Sequence, residues 1–491
     1  MATTSFIAFG LSSGIPRNFY GDDLLLLRAS EGSEVGNGYA SSILFGFNDI
    51  GSGKWRPAFT TIVPAFLHIF GENYLGYFLL NSILFLAVVY LTVRILTQVF
   101  SVSSRILIVV GIALALNQFI WYSVWSPFGL MELGGMIFLL LALRSFAGAI
   151  KSLGAAAGWF SAMYVMIATC FHERYLIAIL PLAAVALWVR DQKSASRVLA
   201  PWITLPFLYV ATKIVVLKID PLTGGGEQDF RQTSGYWIID HFWSSLRSVL
   251  GLSDGRIVEF ATGDGSRTPV EGTLQQVLFI INVLLILGIL AALMIGWVHP
   301  GRLRELPDLS YELIARWVRV GILGVALALL IPASTVDSRI EGRWLFGSHC
   351  LLIAFVGSLT VIRLRLVRDL SPAILATLIF SGAAAVQNRS AFEKPMRDAD
   401  RMIEIVKERP QAASPWALVI HDPENVGQWE WRLGYGDAFT KLENPPSAIV
   451  TSGSACTVKC IRIDIGDDRW IIREQSGGQP TPMPLPLAND F

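Results

Sequence analysis

The sequence predicts an all-α polytopic membrane protein with about eleven transmembrane helices and a small C-terminal α/β domain outside the membrane. Three observations predict this. Hydrophobic residues make up 53% of the 491 residues and charged residues only 16%, with a mean hydropathy of +0.53, too apolar for a soluble chain of this length. Apolar runs of roughly 17 to 25 residues recur, the length at which a helix crosses the hydrocarbon core. Lys and Arg concentrate in alternate connections between those runs, the pattern that sets orientation in a membrane.

The spans are read at 4–20, 74–97, 104–123, 129–147, 155–171, 175–190, 199–217, 273–297, 314–334, 344–362 and 370–387. The first is short. Ser5 to Ile15 lacks a basic leader and a clear cleavage site, so it does not read as a signal peptide. Either residues out to Tyr20 complete the crossing or the true start lies upstream of Met1. The basic connections hold Arg94 and Arg105, Arg144 and Lys151, then Arg190, Lys193 and Arg197. Further on come Arg302, Arg304, Arg316 and Arg319, and finally Arg363, Arg365 and Arg368. These are expected in the cytoplasm with the N-terminus, and the intervening connections and C-terminal domain outside, at the inner membrane of a bacterium.

Two outer loops are long. Loop 24–73 contains the amphipathic stretch Phe59 to Phe70, and loop 218–272 contains the aromatic run Tyr236 to Trp243, each suited to an interfacial helix. The bundle is expected to occupy 1–388 and the outer domain 389–491. That tail has a helical pattern at Glu393–Glu408, a strand-like run Trp416–Ile420, alternation over Cys460–Ile465 and a Pro-rich end. Cys170 and Cys350 lie in apolar segments and read as core residues. Cys456 and Cys460 are too few for a zinc site, and a local disulfide fits them if the tail faces an oxidising compartment. The net charge of +1 argues against a nucleic-acid partner. A phosphate-binding Gly-x-x-x-x-Gly-Lys-Ser/Thr loop is not present.

The chemistry-bearing clusters fall in the connections assigned outside or at the outer ends of spans. Asp22 and Asp23 follow the first span, where acids near hydrocarbon must be paired, solvated or metal-bound. They suit a divalent cation, a general base for an acceptor hydroxyl, or simply water with Arg17 or Arg28 as partners. His172-Glu173-Arg174-Tyr175 puts three adjacent ionisable residues in a tight turn between two spans. That is either an anion clamp or a salt-bridged interfacial turn. In Asp337 to Trp344, Arg339 and Arg343 stand four apart and share a face if the next helix starts early. They suit a lipid-linked phosphate, ordinary anionic headgroups or the acids of the first loop. Glu132, one turn inside Pro127, needs a partner such as Arg174 or Arg343. Lys54-Trp55-Arg56-Pro57 touches phosphate or anchors at the interface, and His421-Asp422 after a strand is either a ligand pair or, the favoured reading, a solvated strand end.

Three features resemble the GT-C superfamily of integral-membrane glycosyltransferases, which includes dolichyl-phosphate-mannose-type and related bacterial enzymes. One is the acidic pair Asp22-Asp23 after the first span. Another is the passage from Arg56-Pro57 through His68-Ile69-Phe70-Gly71-Glu72-Asn73 and Gly76-Tyr77 to Asn81. The third is the turn His172-Glu173-Arg174-Tyr175. The likeness covers roughly the first 180 residues, with a weaker echo at Arg339 to Trp344. It implies inverting transfer of a sugar from a polyprenyl-phosphate carrier to a glycan, lipid or protein acceptor on the outer face. Asp22 or Asp23 would then be the base, with or without Mg2+ or Mn2+. Arg174, Arg339 and Arg343 would hold the carrier phosphate, with His172, Glu173 and Arg56 as further substrate-binding residues. An O-antigen-type polymerase or ligase is the alternative, relying on outer-loop arginines without an obligatory acid pair. A lipid-linked-sugar transporter is a third reading, but it would need ionisable residues at mid-membrane.

Overall fold

A computed structural model describes residues 19, 24, 26, 55–117, 119–152, 155–189, 192–217, 235–251, 257–258, 277, 280–284, 286–287, 309–334, 340–362, 364–387, 390–408, 416–422, 429, 433, 438–439, 446, 448–450, 459–465, 470–475 and 481–482. Among these, six helices are long and apolar enough to cross a membrane: Tyr74–Phe100, Gly129–Lys151, Leu199–Val216, Ile314–Ser334, Gly342–Leu359 and Arg365–Ala383. With the composition, they make this an integral membrane protein. Shorter apolar helices at Ser104–Ala115 and Ala156–Phe171 coincide with two further expected spans. The span expected at 4–20 lies outside the described residues except for buried Phe19.

The passage before the second expected span shows how local sequence sets this geometry. Helix α1 (Pro57–Phe70) opens on Pro57, whose fixed φ and missing N–H suit a first helical position. It stops at Gly71, which takes a positive φ of 54° that a side chain would resist. Asn73 then caps α2 (Tyr74–Phe100) by accepting from the Leu75 N–H at 3.0 Å. The Tyr77 hydroxyl donates to the Gly71 carbonyl at 3.1 Å, and a Cβ on Gly76 would strike the Phe70 ring. One turn on, buried Asn81 donates to the Val124 and Ser126 carbonyls at 3.2 and 2.9 Å. These bonds bind α2 to the connection that precedes α3 (Gly129–Ser152).

Helix α3 packs along α4 (Ala155–Phe171). A Cβ on Gly134 would meet Phe171, and one on Gly135 would meet Tyr175. Small residues let apolar helices approach closely where no water drives association. After α4 comes a 3-10 turn, Glu173–Ala178, then α5 (Ile179–Val189) and α6 (Gln192–Ala211), which unwinds into a π turn at Thr212–Val216. The strongly amphipathic α7 (Gly235–Val249) lies in the loop expected to hold an interfacial helix. Strand β1 (Ile257–Val258) from that loop pairs in parallel with β2 (Ile340–Glu341). The pairing ties the loop to the start of α8 (Gly342–Leu359), whose second residue is Arg343.

The tail forms a five-stranded sheet in the order β4-β3-β5-β6-β7. Strand β3 (Trp416–His421) runs parallel to β4 (Ala448–Val450) and β5 (Lys459–Ile465). Strands β6 (Trp470–Gln475) and β7 (Thr481–Pro482) add antiparallel. The apolar face of α9 (Ser390–Lys407), with Met402, Ile403 and Val406, shares a buried core with Leu418, Ile420, Ile463 and Ile472. That core is separate from the one inside the helical bundle. Asp422 is not a solvated strand end. It is buried and accepts from the Trp429 indole N–H at 2.8 Å, so its carboxylate fixes the chain leaving β3. Cys460 is in a disulfide while Cys170 and Cys350 are free. Cys456 lies outside the described residues.

Candidate functional site

Five distant stretches of sequence bring their charged residues together at one end of the bundle. The turn His172 to Ala178 organises the cluster. His172 stands at the N-cap of the 3-10 turn, and its Nδ1 accepts from the Arg174 N–H at 3.3 Å. The next two side chains take different partners. Glu173 turns toward the segment before α1, where Arg56 Nε donates to its Oε2 at 2.7 Å and the Trp55 backbone N–H to its Oε1 at 3.2 Å. Arg174 turns inward and forms an ion pair with Glu132 on α3. Glu132 is fully buried and Arg174 nearly so, at 6% exposure. The partner that the depth of Glu132 demands is therefore Arg174.

The pairs differ in environment. Burial pushes the Glu173 carboxyl up, but the Arg56 guanidinium and its hydrogen bond outweigh that and hold it below its ordinary range, with a smaller contribution from Lys213. Burial draws Arg174 down to about 10, and the like charges of Arg343 and Arg56 add to this. It remains a cation at neutral pH. The Tyr175 hydroxyl donates to the Glu132 carbonyl at 3.1 Å, and the Arg174 guanidinium carbon lies 5.3 Å from the Tyr175 ring centroid, a cation–π contact.

Arg343, 7% exposed, enters from the first turn of α8 and covers the Phe128 ring at 5.1 Å. Phe128 in turn stacks on Phe59 of α1 at 5.7 Å. Trp55 stacks on Tyr209 at 5.0 Å, and the Tyr209 hydroxyl donates to the Trp55 carbonyl at 2.9 Å. Among the described residues this end of the bundle therefore gathers the cations Arg56, Arg174, Arg343 and Lys213 around the carboxylates Glu132 and Glu173. An excess of positive charge beside aromatic rings, in a largely dry setting, is suited to an anion with an apolar or sugar attachment.

Of the residues expected from sequence, Arg56, His172, Glu173, Arg174 and Arg343 are brought together here. Asp22, Asp23 and Arg339 lie outside the described residues. Tyr209 and Lys213 are the members that sequence reading missed. The available signal for Lys213 was a lone ionisable residue at the end of the apolar run 199–217, which in a membrane protein is a functional pointer. Among the described residues no group of three or more metal-ligating side chains forms. Glu132 and Glu173 are committed to arginines.

No family model matches the chain, and no curated protein matches it. Among solved structures it is similar to the arabinofuranosyltransferase AftD from mycobacteria, determined by single-particle cryo-EM. The identity is 16%, the match covers 86% of this chain and 29% of AftD, and the TM-score is 0.42. The chain thus spans less than a third of AftD.

Proposed function

We propose that the protein is a membrane glycosyltransferase that moves a sugar from a polyprenyl-phosphate carrier to an acceptor on the outer face of the membrane. The observation that carries this reading is the convergence of Arg56, Arg174 and Arg343 with Trp55 at one lip of an apolar bundle. A lipid-linked phosphate carries its anion at that level while its prenyl chain lies among the spans. In the transfer, the acceptor oxygen attacks the anomeric carbon and its proton passes to Asp22 or Asp23. The bond from that carbon to the carrier phosphate breaks with inversion, and the phosphate leaves with the bonding electrons. Arg343, together with Arg339, meets the charge that develops on it. Arg56 and Arg174 each hold a carboxylate and act as positioning residues around that anion. Asp22 and Asp23 also offer the oxygen ligands that Mg2+ or Mn2+ takes. The disulfide at Cys460 supports an oxidising compartment for the tail.

The test uses purified protein in nanodiscs with a panel of polyprenyl-phosphate sugars and a mixed glycan and lipid acceptor pool, with and without Mg2+ or Mn2+. Asp22→Asn or Asp23→Asn should abolish transfer while membrane insertion persists. Undiminished transfer by both single variants and the double variant would remove the assigned base. Loss of activity in Arg343→Ala alone, with the aspartate variants active, would favour a polymerase or ligase.

A further inference from the structure

Lys213 is a buried cation whose setting the two ion pairs do not explain. It is 8% exposed, yet among the described residues its ammonium makes no ion pair or hydrogen bond. Its neighbouring charges are Glu173, which attracts it, and Arg56, which repels it. Glu173 is already engaged at both oxygens, by Arg56 at 2.7 Å and by the Trp55 N–H at 3.2 Å.

The backbone places Lys213 inward. A lysine at the end of a span ordinarily snorkels out to the headgroups. Here the helix widens into the π turn Thr212–Val216, a distortion that recurs at functional sites. Ile214, Val215 and Val216 are left exposed at 44%, 73% and 65% while Lys213 is enclosed. A cation faces the cluster, and an apolar strip on the same turn faces outward, where lipid would be. An anion joined to an apolar chain fits both at once, with the chain lying along the strip.

We propose that Lys213 is a further ligand of the phosphate in a prenyl-phosphate donor, a point-charge partner beside the guanidiniums of the cluster. This rests on the reading of the protein as a transferase using such a donor. The test measures binding of farnesyl phosphate to the full chain in phosphatidylcholine nanodiscs by tryptophan fluorescence, with farnesol, inorganic phosphate and phosphatidylglycerol as competitors. Loss of one charge-assisted contact should weaken farnesyl phosphate binding by about tenfold or more in Lys213→Met. Lys213→Arg should stay within about threefold of wild type, and farnesol binding should not change. Wild-type affinity in a folded Lys213→Met would overturn the proposal and leave the transferase reading standing. Failure of the wild type to prefer farnesyl phosphate over farnesol would remove the donor reading and this proposal together. Equal competition by phosphatidylglycerol would make Lys213 a headgroup anchor, and equal competition by inorganic phosphate a free-phosphate ligand, and each would overturn the proposal. If Lys213→Met does not fold, Lys213→Gln is read by the same criteria.

Discussion

Replacing Arg174 with Met should destabilise the bundle sharply, and replacing Glu132 as well should restore much of the loss. The reason lies in burial. Glu132 has no exposed surface and Arg174 only 6%, so removing the guanidinium strands a carboxylate where water does not reach. Breaking one partner of a buried pair costs roughly 3–5 kcal/mol, whereas replacing both with apolar or neutral groups of similar volume is often close to neutral. Unfolding entropy of about 2.1 cal/mol/K per residue, taken over the whole chain, gives on the order of 1 kcal/mol/K, so Arg174→Met should lower Tm by about 3–5 °C. The fall should be larger if the spans keep their helices on unfolding. The assay is fluorescence-detected thermal unfolding of wild type, Arg174→Met, Glu132→Gln and the double variant in one detergent, analysed as a double-mutant cycle. The double variant should lie closer to wild type than Arg174→Met does. Additive losses, or an Arg174→Met protein as stable as wild type, would refute the pairing as the reason these two residues lie so deep.

Two further outcomes follow from the same geometry. Glu173 has its carboxyl held low by Arg56, so its contribution to stability is present above the ordinary glutamate pKa of about 4.3 and is lost as pH falls through the lowered folded value. Glu173→Gln should be less stable than wild type at pH 7 and should flatten the acid limb of a Tm-against-pH profile, and an unchanged acid limb would count against it. Gly135→Ala should force Tyr175 away, because a Cβ there collides with its ring. A loss of about 1–3 kcal/mol, read by thermal unfolding, is expected, and an unshifted Tm would show that the contact relaxes freely.

Much of the bundle was legible in the sequence because span length and apolar composition are local properties. The run 74–97 became Tyr74–Phe100 and the run 344–362 became Gly342–Leu359, and both boundaries moved by only a few residues. The helix between Arg56 and Phe70 and the amphipathic helix after Gly235 were readable for the same reason. In the tail, alternation over Cys460–Ile465 marked β5, but nothing in that pattern said that β3 would lie between β4 and β5. Nor did a His-Asp pair at the end of a strand reveal that Trp429 would bury the aspartate.

The sequence by itself determined that this chain lives in a membrane, because apolar runs of spanning length recur along it. It also determined that Glu132 had to find a cation, because the hydrophobic effect and the cost of a buried charge act on each segment wherever its neighbours lie. Only the tertiary structure decided which cation pairs with which carboxylate, Arg56 with Glu173 and Arg174 with Glu132. It alone turned Lys213 inward on a π turn beside them. Those choices depend on the approach of residues from tens to more than a hundred positions apart and on a local widening of one helix, and neither leaves a period or a spacing in the chain.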